Sequence, residues 1–306
     1  MILEPSSRCL HLLPFGIPTL VIAEDPQLLA AAHAAYAHWS AEAPFAEPDL
    51  ELRLESGSAS SFGVCLDITV EGSRLSLTGR GAFGSADAEV GTAAAIIPVQ
   101  MAVDAFAFAD VFDTLMLFLL ARRGRTPVHA AAFVIDGCAM VLGGPSGSGK
   151  STLALAAAKR GFPVLTDDMV FVQREPSFAV WGFPRAIHVF PENAPPGDHP
   201  VRVRNEKVKS AVTLASSALK AQRAALFVLE RGDELELSPI KPAKAVDSLM
   251  RLDLGFDLLA RESREAIQAL ASLGSWRLKL TDDPGAAIEL VVDCWRNGRM
   301  PAHSRA

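Results

Sequence analysis

The chain has 306 residues, half of them hydrophobic, and its 29 lysines and arginines stand against 35 aspartates and glutamates, for a net charge of −6. This length and hydrophobic content suffice for the core of one large α/β domain or of two smaller ones. An acidic chain without a basic run argues against nucleic acid as the main partner, because binding a phosphate backbone takes clustered positive charge.

The sequence predicts a protein that is neither exported nor inserted in a membrane. Its N-terminus lacks the basic region followed by an uninterrupted apolar stretch that marks a secretory signal. The most apolar stretch, Ala105 to Ala121, contains Asp110 and Asp113 and predicts a buried helix instead. The four cysteines lie far apart without a CxxC pair, so we expect reduced thiols and no zinc site. We therefore expect a cytoplasmic protein.

Residues 1–90 predict a small α+β domain. Thr19 to Ile22 and Leu50 to Leu54 have the composition of strands, and the alanine-rich segment from Gln27 to Glu42 predicts a helix. From Gly91 to Arg125 the chain is apolar and alanine-rich, which predicts a helix that leads into a second domain. We place the domain boundary near residue 90 and assign recognition of a substrate or partner to 1–90.

The second domain, 91–306, begins with a predicted hairpin and continues as alternating strands and helices. Two strands, Val128 to Ile135 and Ala139 to Leu142, flank a two-residue turn at Asp136-Gly137. Strong helix formers follow from Ser151 to Arg160, and a short strand from Pro163 leads to Thr166. The region from Pro184 to Lys209, rich in Pro, Arg and Lys, predicts a loop with some local structure. A further strand is predicted at Ala224 to Leu229 and a closing helix at Pro284 to Arg296.

A glycine-rich loop with the pattern G-x-x-x-x-G-K-[ST] lies between the second strand of this hairpin and the helix. Glycines let successive backbone N–H groups point at phosphate oxygens, and the positive end of the helix adds to the attraction. In such a loop the lysine reaches the β- and γ-phosphates and the serine hydroxyl binds Mg²⁺. The sequence therefore predicts a site for ATP and Mg²⁺ formed by Gly144, Pro145, Ser146, Gly147, Ser148, Gly149, Lys150, Ser151 and Thr152.

Two adjacent acids, Asp167 and Asp168, follow the short strand, 17 and 18 positions after Lys150. In a fold with such a loop, this strand edge is where a carboxylate meets the metal. One carboxylate can hold Mg²⁺ while its neighbour accepts a proton from an attacking hydroxyl. The structural alternative is a solvated turn between two strands.

The order of these motifs resembles that of the catalytic domain of bacterial HPr kinase/phosphorylase and the related serine kinases. The likeness runs over about 45 residues through Val128-His129-Ala130, the glycine-rich loop, Lys159-Arg160-Gly161 and Asp167-Asp168. As in that family, a histidine precedes the loop lysine by 21 positions. The resemblance implies an α/β fold, with a P-loop kinase domain of the HPr kinase/PEP carboxykinase-like type at 91–306 and a smaller N-terminal α+β domain.

The resemblance also implies roles for single residues. Asp168 would be the general base, Asp167 would lie at the metal with Ser151, and His129 would lie next to the reacting groups. A metal-binding glutamate of the family has its nearest counterpart here in Glu192. Taken without the family, a single histidine at the start of a strand is more often structural.

Thr152 stands where HPr kinases usually have Glu, and the N-terminal region does not resemble theirs; both departures indicate a divergent member of the family. Asn193-Ala194-Pro195-Pro196-Gly197 replaces their Arg-Gly-rich signature, which argues against a phosphorylase activity and against HPr itself as the substrate. The resemblance therefore favours the HPr-kinase-related proteins, some of which phosphorylate a seryl group on a modified peptide, over a kinase of HPr itself. Since the family forms oligomers, it also implies a homo-oligomer.

Three functions remain open at this point. The leading hypothesis is an ATP-dependent kinase that acts on a seryl hydroxyl of a protein or peptide. A nucleotide-dependent switch or ATPase without a phosphoacceptor would use the same loop but needs only a metal site and a positioned water. A small-molecule kinase is the third. A second acid pair, Asp282-Asp283 before Pro284, predicts a helix cap and no chemistry.

Overall fold

A computed structural model describes residues 8–58, 65–204, 207–214, 217–250 and 260–300. The chain divides into two compact units, Met1–Arg125 and Thr126–Ala306. Both combine helices with β-sheets, which confirms the expected mixed α/β class in this general form. None of the helices in the described part of the chain is both long and apolar enough to span a bilayer.

The first unit is built on a seven-stranded sheet. Its strands are β1 (Cys9–Leu12), β2 (Thr19–Ala23), β3 (Leu50–Gly57), β4 (Asp67–Glu71), β5 (Arg74–Gly79), β6 (Ala82–Asp87) and β7 (Thr92–Pro98). They lie in the order β1-β2-β3-β7-β6-β5-β4, and β2, β3 and β7 are parallel. Two helices, α1 (Pro26–Tyr36) and α2 (Ala105–Arg122), pack on the sheet and begin at the capping carboxylates of Asp25 and Asp104.

The boundary between the units lies after Arg125, whereas the sequence placed it near 90. The segment predicted as a helix from Gly91 begins instead with β7, which pairs with β3 and β6. Alanine favours a helix when neighbouring chain segments are ignored, but here alternate alanines, Ala93 and Ala95, are buried in the sheet. Helix α2 then packs on β5, β6 and β7, so both elements belong to the first unit.

The described residues of the second unit form three sheets. The strands are β8 (Thr126–Val128), β9 (Ala130–Ile135), β10 (Cys138–Gly143), β11 (Val164–Thr166), β12 (Val170–Gln173), β13 (Ala179–Trp181), β14 (Ile187–Val189), β15 (Val201–Arg204), β16 (Lys207–Val212), β17 (Lys220–Ala221), β18 (Arg223–Arg231), β19 (Glu236–Pro239) and β20 (Ser275–Leu280). The sheets have the orders β11-β9-β10-β18-β20-β19, β17-β13-β12-β8 and β14-β16-β15. In the six-stranded sheet, β10, β18 and β20 are parallel.

Helices cover both faces of the six-stranded sheet. They are α3 (Lys150–Lys159), α4 (Pro242–Met250), α5 (Ala260–Ser272) and α6 (Pro284–Arg296). On β10, Met140 packs in a cluster with α3 and α6, and its neighbour Val141 packs in a second cluster with α4 and α5. Because successive side chains of a strand point to opposite faces, the continuous apolar run of β10 is buried on both sides. The strand is held rigidly where it runs into the glycine-rich loop.

Most elements predicted around the motifs are confirmed. The hairpin of β9 and β10 turns at Asp136-Gly137, α3 and α6 lie where helices were expected, and Asp283 caps α6. The prediction of a loop from Pro184 to Lys209 was wrong in part, because this region contains β14, β15 and the first residues of β16. These strands are short, and although β15 and β16 form a hairpin, β14 pairs with β16 across a longer stretch of sequence, Ile187 with Val212, so local composition does not reveal them.

Candidate functional site

The glycine-rich loop lies between β10 and α3 in a conformation that depends on its glycines. Gly147 and Gly149 have φ angles of 83° and 105°, in the region that side chains disfavour. A Cβ atom on Gly144 would lie 2.7 Å from Oγ of Ser148, which is closer than real Cβ contacts. The loop therefore needs glycine at these positions in order to turn tightly above the N-terminus of α3.

Lys150, the first residue of α3, is only 7% exposed. Its Nζ donates hydrogen bonds to the backbone oxygens of Gly144 and Pro145 over 2.8 and 3.1 Å. Burial lowers the pKa of this amine; the charge of Asp168 acts against that effect and the charge of Lys209 adds to it. The ammonium group of Lys150 is thus held by two carbonyl oxygens of its own loop.

Two serine hydroxyls of the loop region are weakly engaged. Within the described part of the chain, the buried Oγ of Ser148 has no hydrogen-bond partner. Oγ of Ser151 donates to the backbone oxygen of Asp167 at 3.5 Å, the long limit of a hydrogen bond. A buried hydroxyl without a partner is costly, so Oγ of Ser148 would gain from an incoming polar ligand, whereas Oγ of Ser151 would exchange a long hydrogen bond for a better one.

Asp167 is a buried carboxylate at the end of β11, 9% exposed. The backbone N–H of His188 donates to its Oδ2 over 3.1 Å. Burial first and the negative charge of Asp168 second raise the pKa of Asp167 to about 6, against the opposing effect of this hydrogen bond. A carboxylate that is buried at this cost, beside a second carboxylate, suits a site that receives a cation.

Asp168 is open to solvent and pairs with His129. Its Oδ1 lies 3.4 Å from Nδ1 of His129, and the two side chains are 72% and 31% exposed. His129 stands at the break between β8 and β9, where the sequence predicted one continuous strand. Burial and the charge of Lys150 lower the pKa of His129, while Asp168 raises it. The net effect holds the pKa of His129 below the ordinary value of a histidine.

One cleft of about 280 Å³ brings these groups together. Of the predicted site residues, it is lined by His129, Ser146, Gly147, Gly149, Lys150, Ser151, Thr152, Asp167 and Asp168. Gly144, Pro145 and Ser148 line a neighbouring cavity on the other side of the loop, of about 470 Å³. The motifs that the sequence singled out as separate patterns therefore converge on one place.

The sequence did not indicate six residues that line the cleft. These are His188, Val189, Phe190, Asn193, Lys209 and Arg231. The first five come from the region that was predicted as a loop, which carried no recognisable signal. Arg231 did carry one, since it is the last residue of β18, just past that strand's buried run, and ligand sites often lie at the carboxyl ends of parallel strands.

Glu192, predicted as a metal ligand, lies in a short 3₁₀ turn, Pro191–Asn193. Its side chain is exposed and, unlike that of Asn193, does not line the cleft. Among the described residues, no three or more His, Cys, Asp or Glu side chains are grouped as metal ligands. Mg²⁺ keeps several waters and takes phosphate oxygens, so Asp167 and Ser151 fit it as the two protein ligands. A role of Glu192 stays a prediction.

Comparison with known proteins finds a likeness over a limited segment of the chain. Sixty-three residues, 21% of this chain, are 40% identical to HPr kinase/phosphorylases of three Streptococcus thermophilus strains, ATCC BAA-491 / LMD-9, CNRZ 1066 and ATCC BAA-250 / LMG 18311. The chain is related to HPr kinase/phosphorylase. The matched segment spans about a fifth of the length of each of these relatives, 20%, so the relationship is partial and divergent, and it confirms the resemblance predicted from the sequence.

Two further comparisons complete these findings. No model of a known protein family matches the chain. A solved structure of the HPr(Ser) kinase/phosphatase from Coxiella burnetii aligns with 57% of this chain and 99% of its own, with 13% identity and a TM-score of 0.32.

Proposed function

We propose that the chain is an ATP-dependent kinase that transfers the γ-phosphate to a seryl hydroxyl of a protein or peptide in the presence of Mg²⁺. The observation that carries this proposal is the convergence of Lys150, Ser151, Asp167, Asp168 and His129 on one cleft. The partial relationship to HPr kinase/phosphorylase supports it. On this proposal, the unit Thr126–Ala306 is a P-loop kinase domain of the HPr kinase/PEP carboxykinase-like type.

The loop and α3 would bind the phosphates of ATP. Backbone N–H groups from Ser146 to Ser151 and the positive end of α3 favour an anion above the loop. Lys150 would exchange its bonds to the carbonyls of Gly144 and Pro145 for bonds to phosphate oxygens. The Oγ of Ser148, which has no partner in the described structure, would gain one. The second cavity, with Leu229 and other residues, offers room for the nucleoside.

Asp167 and Ser151 would hold Mg²⁺, which supplies positive charge that neutralises the phosphate oxygens during transfer. The hydrogen bond from His188 orients the carboxylate of Asp167 through Oδ2. The raised pKa of Asp167 is consistent with this assignment, because a cation at the carboxylate would compensate for the burial of its charge.

Asp168 would act as the general base. Its exposed carboxylate can reach a hydroxyl that enters from solvent, and the contact with His129 restrains it beside the loop. In the transfer, the bond between the γ-phosphorus and the bridging oxygen to the β-phosphate breaks and a bond from the seryl oxygen forms. The hydroxyl proton passes to Asp168, and ADP leaves with the bridging oxygen.

The first unit, Met1–Arg125, is proposed to recognise the protein substrate or a partner. A deletion that tests this role should end after Arg125, because a cut at residue 90 would separate β7 from the sheet of the first unit. Removal of residues 1–125 is expected to abolish transfer to a protein acceptor while nucleotide binding persists. Unchanged transfer would contradict this role.

Transfer from γ-labelled ATP to serine-containing proteins and peptides tests the function itself. We expect labelled acceptor with the native protein, and about 10²–10⁴-fold less with Asp168→Asn, the usual effect of losing a general base. Calorimetric titration with ATP controls for binding and should give similar affinities for both proteins. Tight ATP binding without transfer to any acceptor would contradict the kinase and favour a nucleotide-dependent switch.

A further inference from the structure

Lys209 brings a second lysine to the cleft from outside the glycine-rich loop. It lies on β16, where the next residue, Ser210, pairs with Val189 of β14. Its Nζ is 5.8 Å from the centre of the Phe190 ring, and Val189, Phe190 and Lys209 all line the cleft. Strands β14 and β16 of the three-stranded sheet thus form one wall of the cleft, and the half-buried side chain of Lys209 is part of that wall.

No carboxylate within the described residues forms an ion pair with Lys209. The other cation that the sequence did not indicate, Arg231, is held by the carboxylate of Asp282 at 3.5 Å and the backbone oxygen of Thr281 at 3.2 Å. The aromatic contact of Lys209 supplies a weak attraction, and no hydrogen bond joins its ammonium group to another of the described residues. Such a cation is available to an anion that enters the cleft.

The charge of Lys209 acts on the groups where transfer would occur. It lowers the pKa of His129, Lys150 and Asp167, so its ammonium group lies close enough to affect all three. With Lys150 and Arg231, it gives the cleft three fixed positive charges against two carboxylates, in a chain whose net charge is −6. The excess of positive charge is local, and it favours a ligand with several negative charges.

We propose that Lys209 binds the γ-phosphate of the nucleotide from the wall formed by β14 and β16, while Lys150 binds it from the loop. This assignment rests on the proposed function, since it requires ATP in the cleft. Two cations on different elements would enclose the group that is transferred and stabilise the charge on its oxygens. Lys209 would therefore distinguish a nucleoside triphosphate from a diphosphate, a role for which the sequence carries no motif.

Equilibrium titration with the β,γ-imido analogue of ATP and with ADP, each with Mg²⁺, tests this inference. We expect Lys209→Met to weaken binding of the triphosphate about tenfold, which corresponds to about 1.4 kcal/mol, and binding of ADP less than twofold. Lys209→Arg, which keeps the charge, should retain most of the preference. Lys159→Met removes an exposed lysine at the far end of α3 and should change neither affinity.

The outcomes separate this inference from the proposed function. A Lys209→Met protein that binds both nucleotides as the native protein does, or that loses affinity for both equally, would overturn the role at the γ-phosphate. A native protein that binds neither nucleotide would contradict the proposed function and this inference with it. Thermal unfolding of each variant without nucleotide establishes that the compared proteins are folded.

Discussion

The backbone N–H of His188 donates a hydrogen bond to Oδ2 of Asp167 over 3.1 Å. It joins the end of β11 to β14, two short strands that lie in different sheets and are separated by 20 residues in sequence. The bond orients a buried carboxylate that would otherwise have no backbone partner at this oxygen. The position of the proposed metal ligand therefore depends on a strand that local sequence does not predict.

Ionisation of Asp167 should destabilise the folded protein. Its pKa is about 6 in the folded state against about 3.9 for an unperturbed aspartate, so folding is favoured while the group is protonated and this advantage is lost as pH rises through 6. We expect Asp167→Asn to raise the free energy of unfolding at pH 7.5 by about 2–3 kcal/mol more than at pH 4. Chemical denaturation at a series of pH values measures this difference. If the free energies of unfolding of the two proteins differ by the same amount at every pH, the raised pKa of the buried Asp167 carboxylate is contradicted.

His129 should titrate below the ordinary value of a histidine. Burial lowers its pKa most, followed by the charge of Lys150, whereas Asp168 raises it. We expect Lys150→Met to raise the pKa of His129 and Asp168→Asn to lower it. NMR titration of the imidazole resonances measures these shifts, with Lys159→Met as a control that leaves them unchanged. An unchanged pKa in Asp168→Asn would show that the ring does not contact this carboxylate in solution.

Lys150→Met should impair nucleotide binding without unfolding the protein. The amine is buried at a cost that lowers its pKa, and its two hydrogen bonds to the loop offset part of that cost. We expect the free energy of unfolding to change by less than about 1 kcal/mol and affinity for MgATP to fall at least about tenfold. Denaturation and calorimetric titration of the same samples test both effects. Unchanged affinity for ATP would contradict the assignment of Lys150 as a phosphate-binding residue.

Gly182→Ala should disturb the acid pair from a distance. A Cβ atom at Gly182 would overlap the backbone carbonyl of Leu165, two residues before Asp167. Backbone cannot move aside as a side chain can, so we expect a loss of about 1–3 kcal/mol in stability and weaker Mg²⁺-dependent nucleotide binding. Gly232→Ala is the matched control, because its Cβ would meet no atom closer than 3.5 Å. Equal stability of the two variants would contradict the close approach at Gly182.

Local patterns in the sequence predicted the parts of the site that are built from consecutive residues. The glycine-rich loop follows a buried strand and begins a helix, and Asp167-Asp168 end a strand, so spacing and residue type suffice to place them. The structure adds that these groups and His129 border one cleft. Their roles in binding and catalysis remain proposals that the experiments above address.

The wall that carries Phe190 and Lys209 could not be predicted in the same way. Its strands are three to six residues long. Strand β14 pairs with β16 across a longer stretch of sequence, and Ile187 and Val212 of these two strands are buried in a cluster with α3. The alanine-rich strand β7 was predicted as a helix for a related reason, since alanine has a helical preference that sheet pairing overrides. Non-local contacts decided both outcomes.

The most direct test of the proposed kinase is to quantify ADP and phosphoserine in one reaction with ATP, Mg²⁺ and a serine-containing acceptor. We expect one phosphoserine for each ADP formed, with both products lost together in Asp168→Asn. ADP that accumulates with free phosphate and without phosphoserine, equally in the native and Asp168→Asn proteins, would contradict transfer to a seryl group and show an ATPase.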